Sequence, residues 1–103
     1  MNDKRKLVPT LTHLRARREE ILTLAERYGA YNLRVFGSVA RGDADSDSDV
    51  DFLVNFREGT SLFELSSFWQ DLRELLNCEV NILSEAGLKP RFRQQIESDL
   101  IPL

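Results

Sequence analysis

Apolar positions recur along the chain with two periods, and the changes from one to the other mark its elements. From Thr12 to Tyr28, the residues Leu14, Ile21, Leu22, Ala25 and Tyr28 share one side of a helix that Gly29 ends. Leu33–Phe36 then alternates as a short strand and stops at Gly37. Residues 38–48 form a polar, flexible stretch, after which Asp49–Val54 has the β-branched and aromatic content of a second strand. Ser61 followed by Glu64 forms a capping-box pattern, and Leu62, Leu65, Phe68, Trp69, Leu72, Leu75 and Leu76 then repeat at helical spacing. Trp69 belongs to that stripe, so it is expected in the core rather than as a stacking platform. Cys78–Leu83 predicts a third strand, and Pro90 suits the first turn of a last helix carrying Phe92 and Ile96. The order αβ(loop)βαβα predicts an α/β (α+β) fold with helices on a small mixed sheet and a site at the strand ends. The terminal Leu100–Leu103 is expected to fold back on the core.

Composition narrows the class. A length of 103 residues, 42% hydrophobic and 30% charged, suits one domain spanning 1–103. No stretch reads as a secretory signal or membrane span, which points to a cytoplasmic protein without a membrane partner. The single cysteine, Cys78, has no internal disulfide partner and reads as a buried thiol. A net charge of −3 argues against direct nucleic-acid binding. The charges are nevertheless segregated. Lys4, Arg5, Lys6, Arg15, Arg17 and Arg18 form a basic group, read as a solvated tail and helix face, whereas aspartates occupy 43, 45, 47, 49 and 51.

That acidic run, from Gly37 to Asp51, can be tested against known loop chemistries. A P-loop fails, because Asp43 and Ala44 follow Gly42 where Lys and Ser or Thr are needed. An EF-hand starting at Asp47 reaches Glu58 but puts Phe52 where glycine is required. A third arrangement survives. Asp49 and Asp51 leave the same face of a strand about 6.6 Å apart, where two bare carboxylates repel by roughly 2 kcal/mol at an effective dielectric near 20. A divalent cation reverses that repulsion, and Mg²⁺ favours a few carboxylates completed by water and phosphate oxygens. Gly37 lets backbone approach a phosphate, and Ser38 offers a hydroxyl and an N–H at the start of a helical turn.

Gly37-Ser38, ten residues, then Asp49-x-Asp51 resembles the signature of the polymerase-β-like nucleotidyltransferase superfamily. More narrowly, Gly-Ser-x-Ala-Arg-Gly followed by Ser-Asp-x-Asp is similar to the minimal nucleotidyltransferases, whose antitoxin members pair with HEPN-domain toxins. The likeness extends from the helix before the motif to Gly87-Leu88-Lys89-Pro90 before the last helix. It implies that Gly37 and Ser38 hold the triphosphate of ATP, and that Asp49 and Asp51 bind Mg²⁺ and are catalytic. AMP would pass to a hydroxyl, a tyrosine, of a HEPN toxin. The family's third carboxylate, which deprotonates the acceptor, falls at Asn81 in Val80-Asn81-Ile82-Leu83. An amide cannot act as base, so Glu79 is the candidate replacement; without a base the rate drops by about 10²- to 10⁴-fold. The departure sets a second function beside the first, an antitoxin that neutralises its partner by binding alone. Transfer to a small molecule such as an aminoglycoside is disfavoured by length.

Arg41 is expected either to contact a phosphate or to pair with a loop aspartate. Arg91 and Arg93, at the start of the last helix, are within reach of a triphosphate but read first as a solvated face, Asp43, Asp45 and Asp47 as loop residues, and His13 as without a role. Assembly with a second copy or only with the partner is left open by these residues.

Overall fold

The computed structural model describes residues 8–103, so the Lys4, Arg5 and Lys6 part of the basic group lies outside the described residues. Helices α1 (Leu11–Ala16) and α2 (Arg18–Arg27) replace the single helix expected from Thr12 to Tyr28. The break falls at Arg17, within a run that carries no large apolar residue between Leu14 and Ile21 to tie the helix to the core. Leu14 and Ile21 are both fully buried, one from each segment. The Thr10 side chain caps α1 by accepting from the His13 N–H at 3.1 Å, and Arg17 is held by Glu20 at 2.6 Å. Arg18 donates to the Leu103 carbonyl at 2.8 Å, so part of the basic face anchors the C-terminus.

Strand β1 (Ala30–Phe36) is longer than expected and carries an irregularity at Asn32, whose φ of 54° accompanies a register shift between Tyr31 and Arg34. Next come the short helix α3 (Gly37–Arg41), β2 (Val50–Phe56), α4 (Leu62–Leu76), β3 (Val80–Ser84) and α5 (Pro90–Ile96). The capping box forms at α4: Ser61 Oγ accepts from the Glu64 N–H, and Glu64 Oε1 accepts from the Ser61 N–H, each at 3.1 Å. Leu62, expected in the apolar stripe, is exposed with Phe63 because the first turn of α4 precedes the buried positions Phe68, Leu72 and Leu76. A fourth strand, β4 (Ile101–Pro102), was outside the sequence expectation; the C-terminal return predicted there occurs as strand pairing.

The four strands lie in the order β3-β2-β1-β4. β1 runs antiparallel to β2 and to β4, while β2 and β3 are parallel and joined by α4, so the sheet is mixed and the fold α+β. Side-chain alternation then sorts the sheet into two faces. Leu33, Val35, Val50, Phe52, Val54 and Val80 meet Leu14, Ile21, Ala25, Phe68, Leu72 and Leu76 in the main core. Val39 is also buried there, which explains why the segment after Gly37 is a helix rather than a polar loop from residue 38. Trp69 packs against this core half-buried, its Nε1–H donating to the Val80 carbonyl at 2.7 Å. The opposite face carries Phe36, Leu53 and Ile96, with α5 laid across it. Phe92 is partly exposed and meets Phe36 edge-on, with ring centroids 6.4 Å apart.

Candidate active site

The register places the acidic motif on the α5 face. Asp51 pairs with Phe36 across the antiparallel ladder and with Asn81 across the parallel one. All three therefore gather at one end of the sheet, beside the turn in which β1 gives way to α3. Gly37 opens that turn with φ 77°. A side chain there is excluded twice over: the left-handed backbone disfavours it, and its Cβ would run into the Asp51 carboxylate. Ser38 follows in the first turn of α3, and Gly42, at φ 83°, ends the helix. The Ser38 carbonyl accepts from the Gly42 and Asp43 N–H groups at 2.9 and 3.0 Å, which closes the turn against the acidic loop.

Asp49 stands just before β2 and Asp51 within it. Their carboxylates converge on one atom: Asn81 Nδ2 donates to Asp49 Oδ2 at 3.2 Å and to Asp51 Oδ1 at 2.9 Å. An amide N–H₂ carries partial positive charge, so Asn81 occupies the location of lowest potential between two anions. Burial pushes the Asp51 carboxyl above its ordinary range, the Asn81 hydrogen bond opposes this, the Asp49 charge adds to the rise, and the Arg41 charge counters it. The group is short of positive charge. Two converging carboxylate oxygens at the edge of a sheet fit a hard divalent cation that takes its other ligands from water and phosphate, the donor set that suits Mg²⁺. Among the described residues no cluster of three or more His, Cys, Asp or Glu side chains is arranged to hold a metal.

Glu79 sits elsewhere. It precedes β3, its carbonyl accepts from the Val50 N–H at 2.9 Å, and its carboxylate pairs with Arg73 at 3.0 Å. Arg73 in turn lies over the Trp69 ring, 4.6 Å from its centroid. Of the two alternatives for Arg41, the structure shows pairing with a loop aspartate: Nε donates to Asp43 at 3.2 Å, and NH1 donates to Asp99 at 2.9 Å. The Asp99 contact was invisible in the sequence, where the two residues stand 58 positions apart. Arg93 is partly exposed and pairs with Glu85 at 3.2 Å, and Glu85 also accepts from Arg34 at 2.8 Å. Burial raises the Cys78 thiol, and the Glu79 and Asp49 charges add to the rise.

The sequence pattern of the nucleotidyltransferase domain matches residues 18–103, a span that runs from α2 through the Gly-Ser turn and aspartate pair to the C-terminus. The chain belongs to this nucleotidyltransferase family. Within it, the chain is 36% identical over 88 residues to the protein adenylyltransferase MntA of Thermococcus cleftensis, covering 81% of this chain and 89% of that one. A solved structure assigned as a minimal nucleotidyltransferase shares 51% identity and superposes with a TM-score of 0.81 over 91% of this chain and 96% of its own. The same fold recurs, at 16% identity and a TM-score of 0.64, in the complex of a tri-AMPylated Shewanella oneidensis HEPN toxin with its MNT antitoxin; 85% of this chain and 69% of that chain are covered. In this chain the mixed sheet sets Gly37 against the Asp51 carboxylate. Among the described residues no helix is long and apolar enough to cross a membrane.

Proposed function

We infer that this nucleotidyltransferase is a Mg²⁺-dependent, cytoplasmic antitoxin that moves AMP from ATP to a tyrosine hydroxyl of a HEPN-domain toxin. The observation that carries the reading is the convergence of Asp49 and Asp51 beside the side-chain-free turn at Gly37, in a chain 36% identical to a protein adenylyltransferase. The acceptor oxygen attacks the α-phosphorus, the bond to the β-phosphate breaks, and pyrophosphate leaves. Gly37 gives the triphosphate close approach to backbone, and Ser38 supplies a hydroxyl and an N–H. Asp49 and Asp51 would hold Mg²⁺, which when bound neutralises triphosphate charge and stabilises the leaving pyrophosphate. Asn81 orients both carboxylates by donating to each.

The acceptor proton has no carboxylate waiting at position 81. Glu79 takes that role only after leaving Arg73, so the reaction runs slower than with an aspartate in place, by up to about 10²- to 10⁴-fold. This arrangement also favours the second reading, an antitoxin that silences its partner by binding alone.

Intact-mass spectrometry separates them. A HEPN-domain toxin is incubated with the chain, ATP and Mg²⁺, with the Asp49→Ala/Asp51→Ala double variant as control. The expected result is a gain of one or more AMP units on the toxin, lost by about 10³-fold or more in the control because the metal ligands are gone. An unmodified toxin that is still bound and inactivated would replace transfer with the binding-only function.

A further inference from the structure

Arg41 is the last residue of the helix that Gly37 and Ser38 begin, and its guanidinium is divided between two acids. Nε serves Asp43 at 3.2 Å on the exposed loop, and NH1 serves Asp99 at 2.9 Å. The two acids differ in setting. Asp43 is largely exposed, whereas the Asp99 side chain is only 19% exposed, and among the described residues Arg41 is its hydrogen-bond partner. Asp99 ends the 3₁₀ turn Glu97–Asp99 that leads directly into β4. The contact therefore spans from α3, whose first residues are Gly37 and Ser38, to the C-terminal segment.

A carboxylate and a phosphate offer a guanidinium the same planar pair of oxygen acceptors, so one can be exchanged for the other at little geometric cost. Arg41 itself is half exposed, and exposed ion pairs are weak, so the exchange is not blocked by a strong bond. A triphosphate brings far more negative charge to this turn than one aspartate does. Conversely, an arginine satisfied by two carboxylates has its charge offset before any substrate arrives.

On the reading that the Gly37–Ser38 turn holds a nucleoside triphosphate, the geometry points to Asp99 as an internal competitor for Arg41. In the free protein Asp99 draws the guanidinium away from the phosphate turn, and a bound triphosphate takes it over. Asp99 is then a positioning residue that sets nucleotide affinity through Arg41 and reports occupancy to the C-terminal strand. It touches neither substrate nor metal.

The test is binding of Mg²⁺-ATP and of adenosine by isothermal titration to the wild type, Asp99→Asn, Asp99→Glu, Arg41→Ala and the Asp99→Asn/Arg41→Ala double variant. Asp99→Asn is expected to tighten ATP by about two- to fivefold, with adenosine unmoved, and Asp99→Glu to return affinity toward wild type. In the Arg41→Ala background the Asp99 substitution should lose its effect, which a general change in surface charge would not. In the unaltered protein, the NMR resonance of the Asp99 carboxyl carbon should shift on saturation with Mg²⁺-ATP, a measurement that survives any folding defect in the variants. ATP binding by the wild type with no change in Asp99→Asn, a change that persists without Arg41, or a stationary Asp99 resonance each overturns the competitor role while leaving the nucleotide site intact. A wild type that binds no nucleotide overturns the competitor role and the nucleotidyl-transfer reading together.

Discussion

Two charged clusters lie on the α5 face of the same sheet, and they are built on opposite rules. At one end Arg34, buried to 8% exposure, donates to the Asn32 carbonyl, to Asn55 Oδ1 and to Glu85, and Glu85 also takes Arg93. Each formal charge there has an opposite charge in contact. At the other end Asp49 and Asp51 share one neutral amide, and Arg41 is divided between Asp43 and Asp99. A self-satisfied cluster fastens elements together. One left anionic is a place for something to bind, because among the described residues no cation is in contact with its carboxylates. The direction of the carboxyl shifts follows the same division: Arg34 holds Glu85 below its ordinary range, whereas burial pushes Asp51 above it.

The largest effect should come from breaking the balanced end. Arg34→Met leaves Glu85 with only Arg93 and Asn55 without its donor, and should cost about 2–4 kcal/mol of stability. Urea denaturation measures it, and AMP transfer per folded molecule should be unchanged; a loss of transfer at full stability would mean that the two clusters are not independent.

The next largest effect should come from the unbalanced end. Asn81→Asp substitutes a potential base for an amide, and transfer should rise by about ten- to a hundredfold with Mg²⁺ present. Without metal the same variant should be less stable by about 1 kcal/mol, since two hydrogen bonds become repulsions. A rate equal to wild type would show that the proton already leaves by another route.

Gly37→Ala tests the boundary of the site. The left-handed backbone costs about 1–2 kcal/mol for a residue with Cβ, and the Asp51 carboxylate must move aside. Melting temperature should fall modestly and nucleotide affinity more steeply, the reverse of the pattern for Arg34→Met.

The smallest effect is a pH dependence. The Glu85 carboxyl is depressed in the folded chain, first by the Arg34 hydrogen bond and then by the Arg34 and Arg93 charges, with burial opposing. Its stabilisation is therefore fully present above its ordinary value near 4.5 and is lost as pH falls through the lower folded value. Denaturation midpoints across acid pH should show this step in the wild type and lose it in Arg34→Met.

Much of this protein is legible without coordinates. Periodicity located α4 and its capping box, and the parity of Asp49 and Asp51 put both on one strand face. The motif with its ten-residue spacing pointed to the family to which the chain belongs. Local signals also failed in instructive places. Arg17 breaks the first helix because tertiary anchoring at Leu14 and Ile21 outweighs continuous helix propensity. A two-residue strand such as Ile101–Pro102 has no periodicity to detect. Glu79, two positions before Asn81 and apparently interchangeable with it by parity, is claimed by Arg73 from α4.

Properties written in short intervals were legible from residue order alone: helix stripes, strand alternation, caps, and a glycine-serine turn followed by paired acids. Which of the remaining charges meet depends on how the chain packs. The register of β2 against β3 puts Asn81 between two aspartates, and the C-terminal return brings Asp99 to Arg41 across 58 residues. Such contacts depend on where the chain closes its long loops, and that is set by the burial of Val50, Phe52, Val54 and Val80 beneath the helices, not by the polar residues that the closure brings together.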